Sequence, residues 1–324
     1  MVEADAKSAP LASDLASRVL AGQRRAIAQA LTEVERQSEQ SGPLLKSLQA
    51  HLGRAVTVGF TGPPGAGKST LVDACVRALR ETGRTVGVIA VDPSSPLSGG
   101  AILGDRIRMT STLSDDGVFV RSLAARGHLG GLTPAAVRMI DIMDAAGFGI
   151  ILLETVGTGQ SEIDIAEVTD VRIVISAPGL GDGIQAMKAG LLEIADVLVV
   201  NKADREGAER THQQLSAALT HRLDGTVSTP VLKTTATTGG GVGELLDAID
   251  AVATLRLGTA PQQRRRKRAR YLIARAAADL IAAEIKQAEA GRIDALSDAV
   301  LDGSLSATDA AASLIGAKTK PGSR

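Results

Sequence analysis

Residues 55–70, AVTVGFTGPPGAGKST, leave this chain few folds to choose from. An apolar run (Val56, Val58, Phe60) breaks into a glycine-rich loop, and the helical pattern LVDACVRALRET follows without a gap. The loop has the form G-x-x-x-x-G-K-[ST], written here as Gly62, Pro63, Pro64, Gly65, Ala66, Gly67, Lys68 and Ser69, with Thr70 next. Glycines at 65 and 67 carry no Cβ, so successive backbone N–H groups can turn inward around an anion. The helix that starts there adds the positive end of its dipole. In this pattern the lysine reaches the β- and γ-phosphates and the hydroxyl ligates Mg²⁺. A strand, this loop and a helix in that order predict a nucleotide-phosphate site.

Beyond the loop, short apolar runs alternate with helical segments at Val86–Val91, Val118–Arg121, Gly149–Leu153, Arg172–Ser176, Val197–Val200 and Val231–Thr234. Runs of this kind separated by helices predict an α/β fold, a P-loop NTPase with a mainly parallel sheet covered on both faces. Ligands of such sheets bind beyond the carboxyl ends of the strands. Before the sheet, Leu15, Val19, Ile27, Leu31 and Val34 fall on one helical stripe between Leu11 and Gln37, and a second short helix is expected over Leu44–Leu52. Residues 1–10 are expected to be disordered. After about Thr259 a linker, GTAPQQ, leads to a long basic helix with Ile273, Leu280, Ile281 and Ile285 on its apolar stripe. The expected division is therefore 1–52 as an N-terminal helical extension, 53–258 as the α/β domain and 259–324 as a C-terminal helical arm.

Composition removes other classes. The aromatic side chains are Phe60, Phe119, Phe148 and Tyr271, so base-stacking platforms for single-stranded nucleic acid are not available. Formal net charge is zero, which gives no global field toward a polyanion or an acidic membrane. One cysteine, Cys75, and four scattered histidines exclude a disulfide framework and a Cys/His metal cluster. Cys75, in mid-helix, reads as a buried small hydrophobe. No apolar run has the length of a membrane span and the N-terminus has no signal-like core, so a cytoplasmic protein is expected. The basic run Arg264–Arg270 reads as a solvated or acid-pairing helix face rather than a nucleic-acid site.

Three carboxylates fall at or just past strand ends, and a fourth lies in a loop. Asp92 follows Val91, and Asp105 lies in the glycine-rich segment DPSSPLSGGAILGDRIRM. Either suits a turn, but a strand beside the phosphate loop delivers Asp92 to a place where Mg²⁺ needs oxygen ligands. Glu154 and Gly157 in ETVGTGQSE have the layout of a nucleotide-switch segment, whose acid serves Mg²⁺ and whose Gly N–H meets the γ-phosphate. Thr158 stands where many small GTPases carry a water-orienting Gln, and Gln160 is the nearest substitute. Asn201-Lys202-Ala203-Asp204 closes the set. Guanine offers two donors that one carboxylate can accept and adenine does not, so Asp204 is the expected purine reader. Lys202 is expected to pack over the base and Asn201 to tie the loop. In Thr235, Ala236 and Thr237 a backbone N–H is placed for guanine O6.

These motifs together resemble the MeaB/MMAA group, also known under the ArgK name. These are G-protein chaperones of adenosylcobalamin-dependent acyl-CoA mutases. GPPGAGKST, VDPSSPLSGGAILGDRIRM, LLETVGTGQSE, SAPGLGDGIQAMKAG and NKAD carry the resemblance, in this order. It covers residues 53–258 and implies a SIMIBI-type G domain that hydrolyses GTP to GDP and phosphate. It also implies loading and protection of a partner mutase, most directly methylmalonyl-CoA mutase, and a homodimer built through the C-terminal arm. The site roles it implies are Lys68 and Ser69 on phosphate and Mg²⁺, Asp92, Asp105 and Glu154 as metal-side carboxylates, and Asp204 on guanine. Ala177–Lys188 resembles the family's additional switch, with Asp182, Gln185 and Lys188 as polar members. Pro96-Leu97-Ser98 replaces more polar residues found in many members. A small-molecule kinase and a metal-insertion GTPase share the fold. The first has little use for N-K-x-D, and the second usually carries Cys and His ligands.

Overall fold

The computed structural model describes residues 2–92, 115–124, 132–155, 161–180, 189–220, 229–257, 261–287 and 290–316. Seven parallel strands form one sheet: β1 (Val56–Thr61), β2 (Val86–Asp92), β3 (Val118–Ala124), β4 (Ile150–Glu154), β5 (Val171–Ser176), β6 (Val197–Asn201) and β7 (Val231–Thr234). Their spatial order is β3-β2-β4-β1-β5-β6-β7. All seven expected runs are strands, and the central ones are apolar on both faces while the edge strand β7 is partly exposed. Val58, Phe60, Val86, Ile150, Leu152, Ile173 and Val199 are fully buried. The register sets Phe60 opposite Glu154 and Asn201 opposite Thr234, so the chemistry-bearing residues share one end of the sheet.

Three helices precede the sheet: α1 (Val2–Leu20), α2 (Arg24–Arg36) and α3 (Ser41–Leu48). Residues 2–10, within the stretch expected to be disordered, are helical, since α1 begins at Val2. The run is alanine-rich, and alanine has the best helix propensity. The helical spacing seen from Leu11 to Gln37 is divided by Gly22, whose φ of 70° lies in the left-handed region. Leu15, Val19, Ile27, Leu31 and Val34 are all buried as the stripe predicts. This layer covers the edge strand. Arg24 donates to Val118 O (2.8 Å) and lies over the Phe119 ring, while Arg121 of β3 pairs with Glu35.

The remaining helices are α4 (Lys68–Glu81), α5 (Pro134–Ala145), α6 (Ser161–Val168), α7 (Ala189–Ile194), α8 (Ala208–Thr220), α9 (Val242–Leu257), α10 (Pro261–Gln287), α11 (Ala290–Leu301) and α12 (Ala307–Gly316). Pro261, Gln262 and Gln263 of the expected linker are already helical. Proline suits a first helical turn because its missing N–H needs no partner there. Compactness divides the chain into Met1–Arg268 and Ala269–Arg324. In the first unit the opening turns of α10 grip the α/β body. Arg264 donates to Gly53 O (2.9 Å) and to Asp170, Lys267 to Ala166 O, and Arg268 faces Asp141 at 3.8 Å. The basic run is thus the acid-pairing surface its sequence allowed. No helix among the described residues is long and apolar enough to cross a membrane.

Candidate nucleotide site

Thr61 ends β1, and the chain turns at once through three glycines in the left-handed half of backbone space. Gly62 has φ 145°, Gly65 79° and Gly67 88°. Two of them are also required by space. A Cβ on Gly62 would lie 2.1 Å from Ile175 O, and one on Gly67 would lie 2.5 Å from Asn201 Nδ2. Gly67 is the N-cap of α4, so the first-turn N–H groups of that helix open toward the loop. Lys68 is buried and its Nζ donates to Gly62 O (2.9 Å) and Pro63 O (3.2 Å), folding the side chain over its own loop.

Behind the loop, Ser69 Oγ donates to Glu154 Oε1 at 2.7 Å, and both side chains are buried. Glu154 arrives there because β4 pairs with β1 and ends level with it. A hydroxyl and a carboxylate in contact at the root of a phosphate loop form a hard oxygen donor pair, which suits Mg²⁺. Of the other two expected metal-side carboxylates, Asp92 closes β2 but its side chain is outside the described set, and Asp105 lies outside the described residues, as do Gly157, Thr158, Gln160, Asp182, Gln185 and Lys188. Among the described residues no group of three His, Cys, Asp or Glu side chains is placed to hold a metal.

Asn201 joins three loops. Its Nδ2 donates to Ala66 O (3.0 Å) and Gly67 O (3.3 Å), and its Oδ1 accepts from Thr234 Oγ1 (3.1 Å) and the Ala236 N–H (3.3 Å). A buried side-chain amide with its partners satisfied fixes relative position tightly. Lys202 has a φ of 58°, rare outside glycine, and its Nζ donates to Gly65 O at 2.7 Å. Asp204, two residues further on, is exposed. Thr235 N–H is committed to Gly240 O, and Ala236 N–H to Asn201.

Two residues escaped the sequence reading. Thr155 follows Glu154, and its Oγ1 bonds Thr61 Oγ1 (3.1 Å) while its N–H reaches Phe60 O. The start of the switch segment is therefore pinned to the root of the phosphate loop. Thr234 is the second, fully buried and bound to Asn201. Isolated threonines in apolar strands carry no local signal that separates such a bond from ordinary β propensity. Cys75 is buried with its thiol pushed up to about 12 by desolvation, an inert packing residue as expected.

A family model described as "Methylmalonyl Co-A mutase-associated GTPase MeaB" matches residues 26–290. The chain belongs to the MeaB family. A putative GTPase of Pyrococcus horikoshii is 49% identical over 240 residues, covering 73% of this chain and 76% of its own. The Escherichia coli GTPase ArgK is 42% identical over 58% of each chain. A mouse protein, "Methylmalonic aciduria type A homolog, mitochondrial", is 36% identical over 70% of this chain and 60% of its own. Among solved structures, the one titled "LAO/AO transport system kinase" superposes with a TM-score of 0.74 at 26% identity, over 95% of this chain and 98% of that one. The fold and the family agree: this MeaB-family chain is a P-loop GTPase of the MeaB/ArgK type.

Proposed function

We propose that this MeaB-family protein binds GTP with Mg²⁺, hydrolyses it to GDP and phosphate, and uses that cycle as a chaperone. The client is an adenosylcobalamin-dependent acyl-CoA mutase, methylmalonyl-CoA mutase in the first instance. The observation that carries the nucleotide reading is the docking of the N-K-x-D turn on the phosphate loop. Asn201 holds Ala66 O and Gly67 O while Lys202 holds Gly65 O, so the base reader and the phosphate cradle are one bonded unit. A kinase that ignores the base has no need of that unit. The client follows from the family's printed description and the mouse relative's name.

In this reading the backbone N–H groups of 65–70 surround the β-phosphate, and Lys68 leaves the Gly62 and Pro63 carbonyls for the β- and γ-oxygens. Exchanging two neutral acceptors for charged ones strengthens each of its hydrogen bonds. Ser69 and Glu154, with Asp92 and Asp105, would hold Mg²⁺, which would supply positive charge for the leaving oxygens. Gly157 N–H meets the γ-phosphate, and Thr61 and Thr155 keep that segment in register with the loop. Asp204 accepts from guanine N1–H and its exocyclic amine, and the Thr235–Thr237 turn offers a backbone N–H to O6.

Catalysis here is positioning plus charge stabilisation for in-line attack by water. The residue after Gly157 is Thr158 rather than Gln. Water is therefore poorly oriented in the isolated protein, and turnover falls near the roughly 10⁻⁴ s⁻¹ of unassisted small GTPases. The mutase supplies the missing order. Single-turnover GTP hydrolysis with and without purified methylmalonyl-CoA mutase tests this. A rise of tenfold or more, about 1.4 kcal/mol off the barrier, is expected, and equal rates contradict the chaperone reading.

A further inference from the structure

At the far end of the sheet from the nucleotide loops, α6, α9 and α10 enclose a cavity of about 180 Å³. That is several times the roughly 30 Å³ one water takes in the liquid. Its polar walls are Glu167 and Asp170 at the end of α6, Arg256 from the last turn of α9, and Gln263, Arg264 and Lys267 from the start of α10. The buried charges around it do not balance. Asp196 accepts from Arg172 (2.7 Å) and from Arg256, and Asp170 accepts from Arg264 at 3.2 Å. Among the described residues three carboxylates, Asp170, Asp196 and the exposed Glu167 that acts on Lys267, thus face three guanidiniums and the Lys267 ammonium, which donates to Ala166 O.

Three further facts give that surplus a direction. Arg264 is 10% exposed, and although its Nη atoms reach Gly53 O, Ala55 O and Asp170, its buried Nε–H has no acceptor among the described residues. The first turn of the 27-residue α10 contains no acid, so the positive end of its dipole is uncompensated by its own sequence. Lys267 and Arg256 are both pushed down, first by burial and then, in opposition to nearby acids, by neighbouring guanidiniums. A site short of negative charge, walled by donors and large enough for a tetrahedral anion, is built for an oxyanion.

We propose that this cavity binds a phosphate group, free or at the end of a phosphate ester, independently of the nucleotide loop. Gln263 and Lys267 are its outer donors, and Arg264 and Arg256 form its charged floor. The occupant neutralises the junction where α10 is fastened to the α/β body.

The test is thermal unfolding of the full chain with orthophosphate or glycerol 3-phosphate, each against chloride at equal ionic strength. Lys68→Ala serves to silence the nucleotide loop. The cavity predicts a concentration-dependent rise in Tm with at least one of the two salts, kept in Lys68→Ala. Lys267→Gln should bind about tenfold more weakly. Because that substitution also loosens the α10 fastening, Gln263→Glu is the cleaner variant. A carboxylate in an exposed first turn suits the helix dipole and preserves folding, yet it repels the anion and should abolish the rise. No rise with either salt, loss of the rise in Lys68→Ala, or an unchanged rise in Gln263→Glu overturns the proposal.

Discussion

Asn201 concentrates at one residue what the nucleotide reading requires of several loops. Its amide donates to two phosphate-loop carbonyls and accepts from Thr234 and Ala236, all in a buried setting. Truncation takes their amide partner from Ala66 O, Thr234 Oγ1 and the Ala236 N–H, all buried, while Gly67 O keeps the Leu71 N–H. Unsatisfied buried groups cost about 1–3 kcal/mol each. Asn201→Ala is accordingly expected to lower unfolding free energy by about 2–3 kcal/mol in urea titration, and to weaken GDP binding by tenfold or more. Asn201→Asp should fare no better, since it offers the two loop carbonyls an acceptor in place of a donor. That Lys68, Ser69 and Asn201 gather at one loop was legible from the sequence, because the loop motif fixes their spacing. The roles of Thr155 and Thr234 were not, because their work is done across strands that only the sheet brings together.

Elements rather than motifs decide how the first turns of α10 behave. The sequence allowed the run after Arg264 to be a solvated face, and spacing alone does not say which acids it meets. Those acids sit far off in the chain, Asp170 before β5 and Asp141 on α5. The Asp141 carboxyl shows the cost of that arrangement. Burial pushes it up to about 6 despite the opposing pull of Arg268, with Asp144 adding a further push. The folded protein therefore holds this proton where the unfolded chain has already released it. Stability from this group is greatest below the ordinary carboxylate range and falls as pH rises from about 4 to about 6. Asp141→Asn removes that dependence. Urea unfolding of both proteins should show the variant gaining on the wild type between pH 4.5 and 7.5, by on the order of 2 kcal/mol. Arg268 stays charged throughout, so its lost partner cancels in the comparison across pH. A difference that does not change with pH contradicts the assignment. Strand positions, by contrast, were readable to within a residue, since continuous apolar runs admit few alternatives in a parallel sheet, except at the end of β3, which runs to Ala124, three residues past the expected Arg121.

At the scale of the whole molecule, the fold class followed from the alternation of strands and helices, and the family from five motifs in fixed order. The residues from Ala269 onward were readable as helices but not in what covers them. Ile273 and Leu280 of α10 are 69% and 71% exposed, seven residues apart on one face of that helix. Leu301 of α11 is 85% exposed. We propose a second copy of the chain as the cover. Ile273→Glu with Leu280→Glu should convert a dimer to a monomer in analytical ultracentrifugation while leaving GDP affinity within about twofold, a difference of about 0.4 kcal/mol. A variant that remains dimeric would place the interface elsewhere. The central claim is simpler than the assembly: a loop of main-chain amides and one lysine holds a triphosphate whose purine is chosen by Asp204. Isothermal titration of the full chain with a non-hydrolysable GTP analogue, its ATP counterpart and Mg²⁺ measures it directly. The account predicts guanine binding with a preference over adenine of roughly 10⁴-fold, collapsing in Asp204→Asn. Equal affinity for the two purines, or a preference that survives Asp204→Asn, would contradict it.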